Sequence, residues 1–162
     1  MEILTSLPPL TSPDALYSTV QQVQAELAGY RAIIDRSPAV VILWRIAPGW
    51  PIDFVSAGIR QFGYTPDDFL SGRVTGVSMT HPDDLPRLEE QVAEWVARGV
   101  ESFRQEYRIL TADGQVRWVD DQTVAIRDAA GGITHYQGIL LDITVQKEAE
   151  SRLRAACMAI EA

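Results

Sequence analysis

The chain has 162 residues, 46% hydrophobic and 22% charged, which suits one globular domain with some additional helix. Its 14 basic against 22 acidic residues leave a formal charge of -8, and a uniformly acidic surface repels nucleic acid and anionic membranes alike. No apolar run approaches the roughly 20 residues of a membrane span, and Cys157, the single cysteine, can neither close an internal disulfide nor build a cysteine-ligated zinc site.

Residues 1–12 read as a tail. Its opening stretch lacks the Lys or Arg of a secretory leader and is interrupted by Pro8 and Pro9, so export is not expected and the cytoplasm is the expected location. Residues 13–36 read as one helix. Its apolar positions Leu16, Val20, Val23, Leu27, Tyr30 and Ile34 alternate in steps of four and three, the spacing of a heptad seam. Ser12 is the expected N-cap before Pro13, and Ser37-Pro38 the expected stop. A seam of this length can lie on its own domain or pair with a second copy.

After Pro38 the period changes. The runs Ala39 to Arg45 and Ile52 to Val55 flank the turn Pro48-Gly49-Trp50-Pro51 and predict a hairpin. Thr65-Pro66-Asp67-Asp68 and Thr80-His81-Pro82-Asp83 each place an acid three residues after a hydroxyl, the pattern of a capping box, and predict two helix starts. The second helix carries Leu85, Leu88, Val92, Trp95 and Val96 on one face and stops at Gly99. From Glu101 the chain alternates with period two. Turns at Asp113-Gly114 and at 128–132 divide it into three consecutive antiparallel strands ending near Ile143. Thr144 opens a last helix, residues 144–162, with Ala149, Leu153, Ala156 and Ile160 in a second heptad spacing. The expected fold class is α+β: a five-stranded antiparallel sheet with small helices on one face, between N- and C-terminal amphipathic helices.

From about Tyr30 to Glu150 the sequence resembles the PAS family of bacterial and archaeal sensor modules. The resemblance is carried by Phe62-Gly63-Tyr64, His81-Pro82-Asp83-Asp84, Tyr107-Arg108-Ile109, Asp113-Gly114, Arg117-Trp118-Val119, Gly138, and Leu141-Asp142-Ile143-Thr144 leading into Gln146-Lys147-Glu148. It implies a core over 37–143 that senses a ligand between sheet and helices. It also implies a homodimer, and an output domain beyond the exit helix, either a histidine kinase or a diguanylate cyclase.

The resemblance turns Phe103, Gln105, Tyr107 and Ile109 inward from the third strand, with Val119, Asp121 and Thr123 from the fourth and Tyr136, Gly138 and Leu140 from the fifth. Flavin-binding relatives hold the ring with amide side chains and a reactive cysteine. The matching positions here look like Ile109, Val119 and Leu140, so flavin is not expected. Haem needs an axial ligand, but His81 reads as part of a helix start and His135 falls on the outward parity of its strand. No metal or catalytic constellation is expected either, because the pairs Asp67-Asp68 and Asp83-Asp84 sit in first turns, where they favour the helix dipole. Asp121 stands out as an acid on an inner face, which is costly unless paired or wetted. It either receives a polar or cationic ligand or pairs with Arg117. The expected pocket is small and mainly apolar, suited to a small organic metabolite or to no ligand, and the cofactor is left unassigned.

The outer sheet face would carry Glu106, Arg108, Trp118, Ile139 and Leu141, with the N-terminal helix of the same or a partner chain as its cover. Trp118, Asp142 and Thr144 mark the junction expected to relay signal into the last helix, with Asp142 or Thr144 as its cap.

Overall fold

The computed structural model describes residues 13–161; the proposed tail, the Ser12 cap and Ala162 lie outside them. In chain order come α1 (Pro13–Arg36), β1 (Val40–Arg45), β2 (Ile52–Val55), a 3-10 helix (Ala57–Phe62), α2 (Pro66–Leu70), α3 (Gly76–Met79) and α4 (Leu85–Arg98). Then follow β3 (Ser102–Leu110), β4 (Val116–Arg127), β5 (Ile133–Asp142) and α5 (Thr144–Glu161). The five strands form one antiparallel sheet in the order β2-β1-β5-β4-β3. The last strand thus returns to the centre, between the first hairpin and the β3-β4 hairpin.

Strand alternation sorts the sheet into two faces. Val40, Ile42 and Trp44 of β1 are buried, as are Tyr107 and Ile109 of β3, Val119 of β4, and Tyr136 and Leu140 of β5. The 3-10 helix contributes Ile59 and Phe62, α2 contributes Phe69, and α4 lays Leu88 and Val92 on the same core, one turn apart on a single face. Burying each such side chain is worth about 1.5–3 kcal/mol. Gly99, at φ 62°, ends α4 in the left-handed conformation, and Trp95 stacks on Phe103 with ring centroids 4.3 Å apart.

The first expected helix start is present: the Asp68 carboxylate accepts from Thr65 N at 2.7 Å and α2 begins at Pro66. The second is displaced. Thr80 closes α3 instead, its hydroxyl donating to Gly76 O at 2.8 Å, and α4 starts only at Leu85, after Asp84. Thr80 and His81 are bonded to the edge of the sheet, Thr80 bridging Ile109 and His81 N donating to Arg108 O at 2.9 Å, and residues 82–84 form a turn in which Asp84 N donates to His81 O at 3.0 Å. At its other end α3 is bonded to the β1-β2 turn, where Gly76 N donates to Trp50 O at 3.1 Å and Val77 N to Gly49 O at 3.2 Å.

The two terminal helices stand largely apart from this core. At the end of α1, Asp35 Oδ1 accepts from Ala57 N at 3.1 Å, and Ile34 is half-buried. The remaining seam residues, Leu16, Val20, Val23, Leu27 and Tyr30, are 41–61% exposed. The helix therefore does not lie along its own domain, and it does not cover the outer sheet face of its own chain. Ile139 and Leu141 on that face are exposed.

Candidate functional site

Between the sheet and α3-α4 lies a cavity of about 40 Å³. A water needs roughly 10–15 Å³ measured this way, so the space suits one to about three water-sized groups. Its sheet wall is Ile42 and Trp44 of β1, Ile52 of β2, Gln105 and Tyr107 of β3, and Asp121 of β4. Its helical wall is Met79, Thr80, Leu88 and Val92, with Trp50 and Gly76 closing one end.

Gln105, Tyr107 and Asp121 are the sequence-derived pocket candidates that reach this wall. Phe103, Ile109, Val119, Thr123, Tyr136 and Leu140 surround it as core side chains, all buried except Phe103, which is half-buried. The wall residues not anticipated are Ile42, Trp44 and Ile52, from the first hairpin, Leu88 and Val92, from the apolar face of α4, and Trp50, Gly76, Met79 and Thr80. The last four belong to a turn and a one-turn helix too short to show periodicity. Trp50 adopts φ 51°, rare for a residue with a side chain, beside Gly49 at φ 85°. A Cβ on Gly76 would meet Trp50 Cβ at 3.0 Å, so glycine there lets the turn and α3 close on each other.

Asp121 is 6% exposed. Tyr107 OH donates to its Oδ2 and Thr123 Oγ1 to its Oδ1, both at 2.9 Å. The pairing with Arg117 is not formed, because Arg117 lies near Asp142 instead, at 3.6 Å. Burial pushes the Asp121 carboxyl up to about 6, opposed by the hydrogen bonds from Tyr107 and Thr123, with the neighbouring Asp120 adding to the rise. Burial likewise raises the Tyr107 phenol, with Asp121 adding to it. A Cβ at Gly138, on the adjacent strand, would come within 3.0 Å of Asp121 Oδ1, so the glycine makes room for the carboxylate. Gln105 Oε1 and Tyr136 OH are buried and have no hydrogen-bond partner among the described residues.

The outer face has different chemistry. Asp120 takes two hydrogen bonds from Arg104, at 2.7 and 2.9 Å, which hold its carboxyl below the usual range. Arg108 binds both oxygens of Asp84, and its backbone N–H donates to the same carboxylate at 2.8 Å. These bonds hold the Asp84 carboxyl below the usual range. Arg108 and Lys147 approach the Trp118 ring at 5.5 and 5.2 Å, and Lys147 is ion-paired with Glu106.

The β5-α5 junction is tied to β4 through both backbone groups of Trp118 as well as through the Arg117-Asp142 ion pair. Ile143 N donates to Trp118 O, Trp118 N donates to Thr144 Oγ1, and Asp142 Oδ1 accepts from Thr144 N, each at 2.9 Å. Asp142 thus caps the start of α5, while Thr144 receives the strand.

Neither histidine lies on the cavity wall. His81 Nδ1 accepts from Asp83 N at 3.1 Å, and His135 Nε2 is 3.0 Å from Asp53 at the surface. No helix among the described residues is long and apolar enough to cross a membrane.

A family model described as the PAS fold matches residues 52–140. Over 120 residues the chain is 49% identical to a methyl sulfide methyltransferase-associated sensor of Methanosarcina acetivorans, an alignment covering 74% of this chain and 12% of that protein. It is 33% identical over 109 residues to a blue-light-activated histidine kinase of Brucella anthropi, covering 63% of this chain and 21% of the kinase. The chain therefore spans a small part of the length of these relatives. Among solved structures, the PAS domain of a Colwellia psychrerythraea protein superposes with a TM-score of 0.63 at 20% identity, covering 74% of this chain and 98% of that one. With the sheet order, the helical cover and these matches in hand, the chain belongs to the PAS family, a sensory rather than a catalytic kind of domain.

Proposed function

We propose that this domain is a cytoplasmic sensor that reads a small ligand in its inner cavity and passes that state along β4 into α5. From there it reaches an output domain in the same polypeptide, a histidine kinase or a diguanylate cyclase. The observation that carries this reading is the double duty of β4. Asp121 faces the cavity, and three residues earlier Trp118 is bonded through both its N–H and its C=O to the junction of α5. A shift of the strand at one point moves the other. The exposed seams of α1 and α5, with Leu153 and Ile160 of α5 also exposed, support a homodimer in which both helices are covered by a second copy.

The test places this chain ahead of a histidine-kinase core in place of that kinase's own PAS domain. Asp142→Ala is expected to change autophosphorylation while leaving ligand affinity within about twofold of the parent, since Asp142 caps α5 and does not line the cavity. Unaltered phosphorylation, or equal losses of output and affinity, would overturn the relay. The size of the cavity favours one second reading, a ligand-free dimerisation scaffold. Native mass spectrometry separates the two: a small-molecule adduct lost on Val92→Phe supports the sensor, and a bare dimer in both proteins supports the scaffold.

A further inference from the structure

The cavity wall holds two groups with acceptor capacity to spare, the Asp121 carboxylate and Gln105 Oε1. Asp121 receives one donor at each oxygen, and a carboxylate oxygen has capacity for two. Gln105 is 9% exposed, and its Oε1 receives none among the described residues. The hydroxyl donors nearby are already committed, Tyr107 and Thr123 to Asp121 and Thr80 to Gly76 O, which leaves the Gln105 amide and the Trp44 and Trp50 indoles as the other N–H donors of the wall. Among the described residues no Lys, Arg or His lines the cavity, and Arg117 is turned towards Asp142. A buried carboxylate without a cation is costly, yet Gly138 keeps space free for this one.

The rest of the wall is aromatic and aliphatic. Trp44 and Trp50 meet at a ring-centroid distance of 5.9 Å with their planes inclined by 48°, forming a corner of two indoles, and Ile42, Leu88 and Val92 supply the apolar remainder. Indole faces attract cations, and more strongly so away from water. An anion would face Asp121, and the available volume is far below that of a haem or a flavin.

We infer that the cavity is a binding site for a small ammonium ion, ammonium itself or a short alkylammonium, whose N–H groups are received by Asp121 and Gln105 and whose charge or methyl groups rest in the Trp44-Trp50 corner. The assignment rests on the reading of the cavity as the sensing site and names its ligand class. The titratable groups acting on Asp121 are Tyr107 from β3 and Asp120 beside it in β4, while the facing α3-α4 wall of Met79, Thr80, Leu88 and Val92 brings no charge. Binding therefore weakens as pH falls through about 6, where Asp121 takes up a proton.

The test titrates the full chain with ammonium, methylammonium and ethylammonium chloride, against sodium chloride at equal ionic strength and against methanol as a neutral molecule of similar size. Tryptophan fluorescence and calorimetry follow binding. Saturable binding of the ammonium salts alone is expected, weakened about tenfold or more by Asp121→Asn and also reduced by Gln105→Leu. The Gln105 variant keeps the test decisive should Asp121→Asn fold poorly. An equal response to sodium chloride overturns the assignment. Saturable methanol binding that matches the ammonium salts, and is lost in Val92→Phe, overturns the ammonium class but leaves the cavity a ligand site and the sensor reading intact. No binding by any probe, together with a bare dimer in mass spectrometry, overturns both.

Discussion

Replacing Asp121 with asparagine tests the electrostatics of the cavity in the free protein. The side chain keeps its shape, and because hydroxyls both donate and accept, either Tyr107 or Thr123 can turn to receive the new amide N–H. The carboxyl is raised from 3.8 to about 6 by burial, a difference equivalent to about 3 kcal/mol between its charged and neutral forms. A carboxyl that holds its proton more tightly in the folded chain favours folding at low pH. That contribution is fully present below about 3.8 and is lost as pH rises through about 6. Urea unfolding of both proteins, followed by tryptophan fluorescence from pH 4 to 7.5, isolates this effect. Carboxylates that do not act on Asp121, such as Asp84 with its lowered value, act alike in both proteins and cancel in the difference, whereas Asp120, which adds to the rise at Asp121, belongs to the effect measured. The wild type is expected to lose stability relative to Asp121→Asn across this range by most of those 3 kcal/mol. Parallel curves would refute the argument that a desolvated carboxylate lies in the cavity.

Gly138→Ala, whose added carbon would press on Asp121 Oδ1, should destabilise the chain by about 1–3 kcal/mol in the same unfolding assay. Paired with Asp121→Asn its cost should not be additive, because the two residues share one space. Thr144→Val removes the acceptor of Trp118 N and should cost about 1–2 kcal/mol, with faster amide exchange at Trp118 and in the first turn of α5. Leu27→Glu puts a charge on an exposed seam position and should leave unfolding stability within about 0.5 kcal/mol at protein concentrations where the chain is monomeric. Sedimentation should show it shifting a dimer to monomer, and an unchanged dimer would remove α1 from the interface.

Much of the fold was legible because its signals are local. The heptad spacing gave the extent of α1, period-two alternation gave β3 to β5 with their inward faces, and Thr65-Asp68 gave the start of α2. The misplaced helix start at Thr80 shows what local chemistry omits. Thr80 and His81 pair with the backbone of β3 and Asp84 is held by Arg108, 24 residues along the chain, so residues 82–84 turn before α4 begins at Leu85. The Arg117 alternative failed for a similar reason. Its nearest acid comes from the end of β5, a neighbour set by sheet order that the residues of β4 alone do not reveal. Of the cavity, the strand side could be read from parity, whereas Met79, Thr80 and Trp50 come from segments whose placement is purely tertiary.

The short segment from Gly76 to Asp84 is fastened to the β1-β2 turn at one end and to β3, an outer strand of the sheet, at the other. It acts as a chord across the arc of the sheet. A chord of fixed length ties the height of the arc to its span, so the cavity cannot deepen unless the sheet changes curvature or one of the fastenings opens. The strands cross this arc, and the end of β5 continues directly into α5. A molecule slightly too large for the cavity would therefore register as a bend of the sheet, felt at the helix junction before any side chain there has moved on its own account.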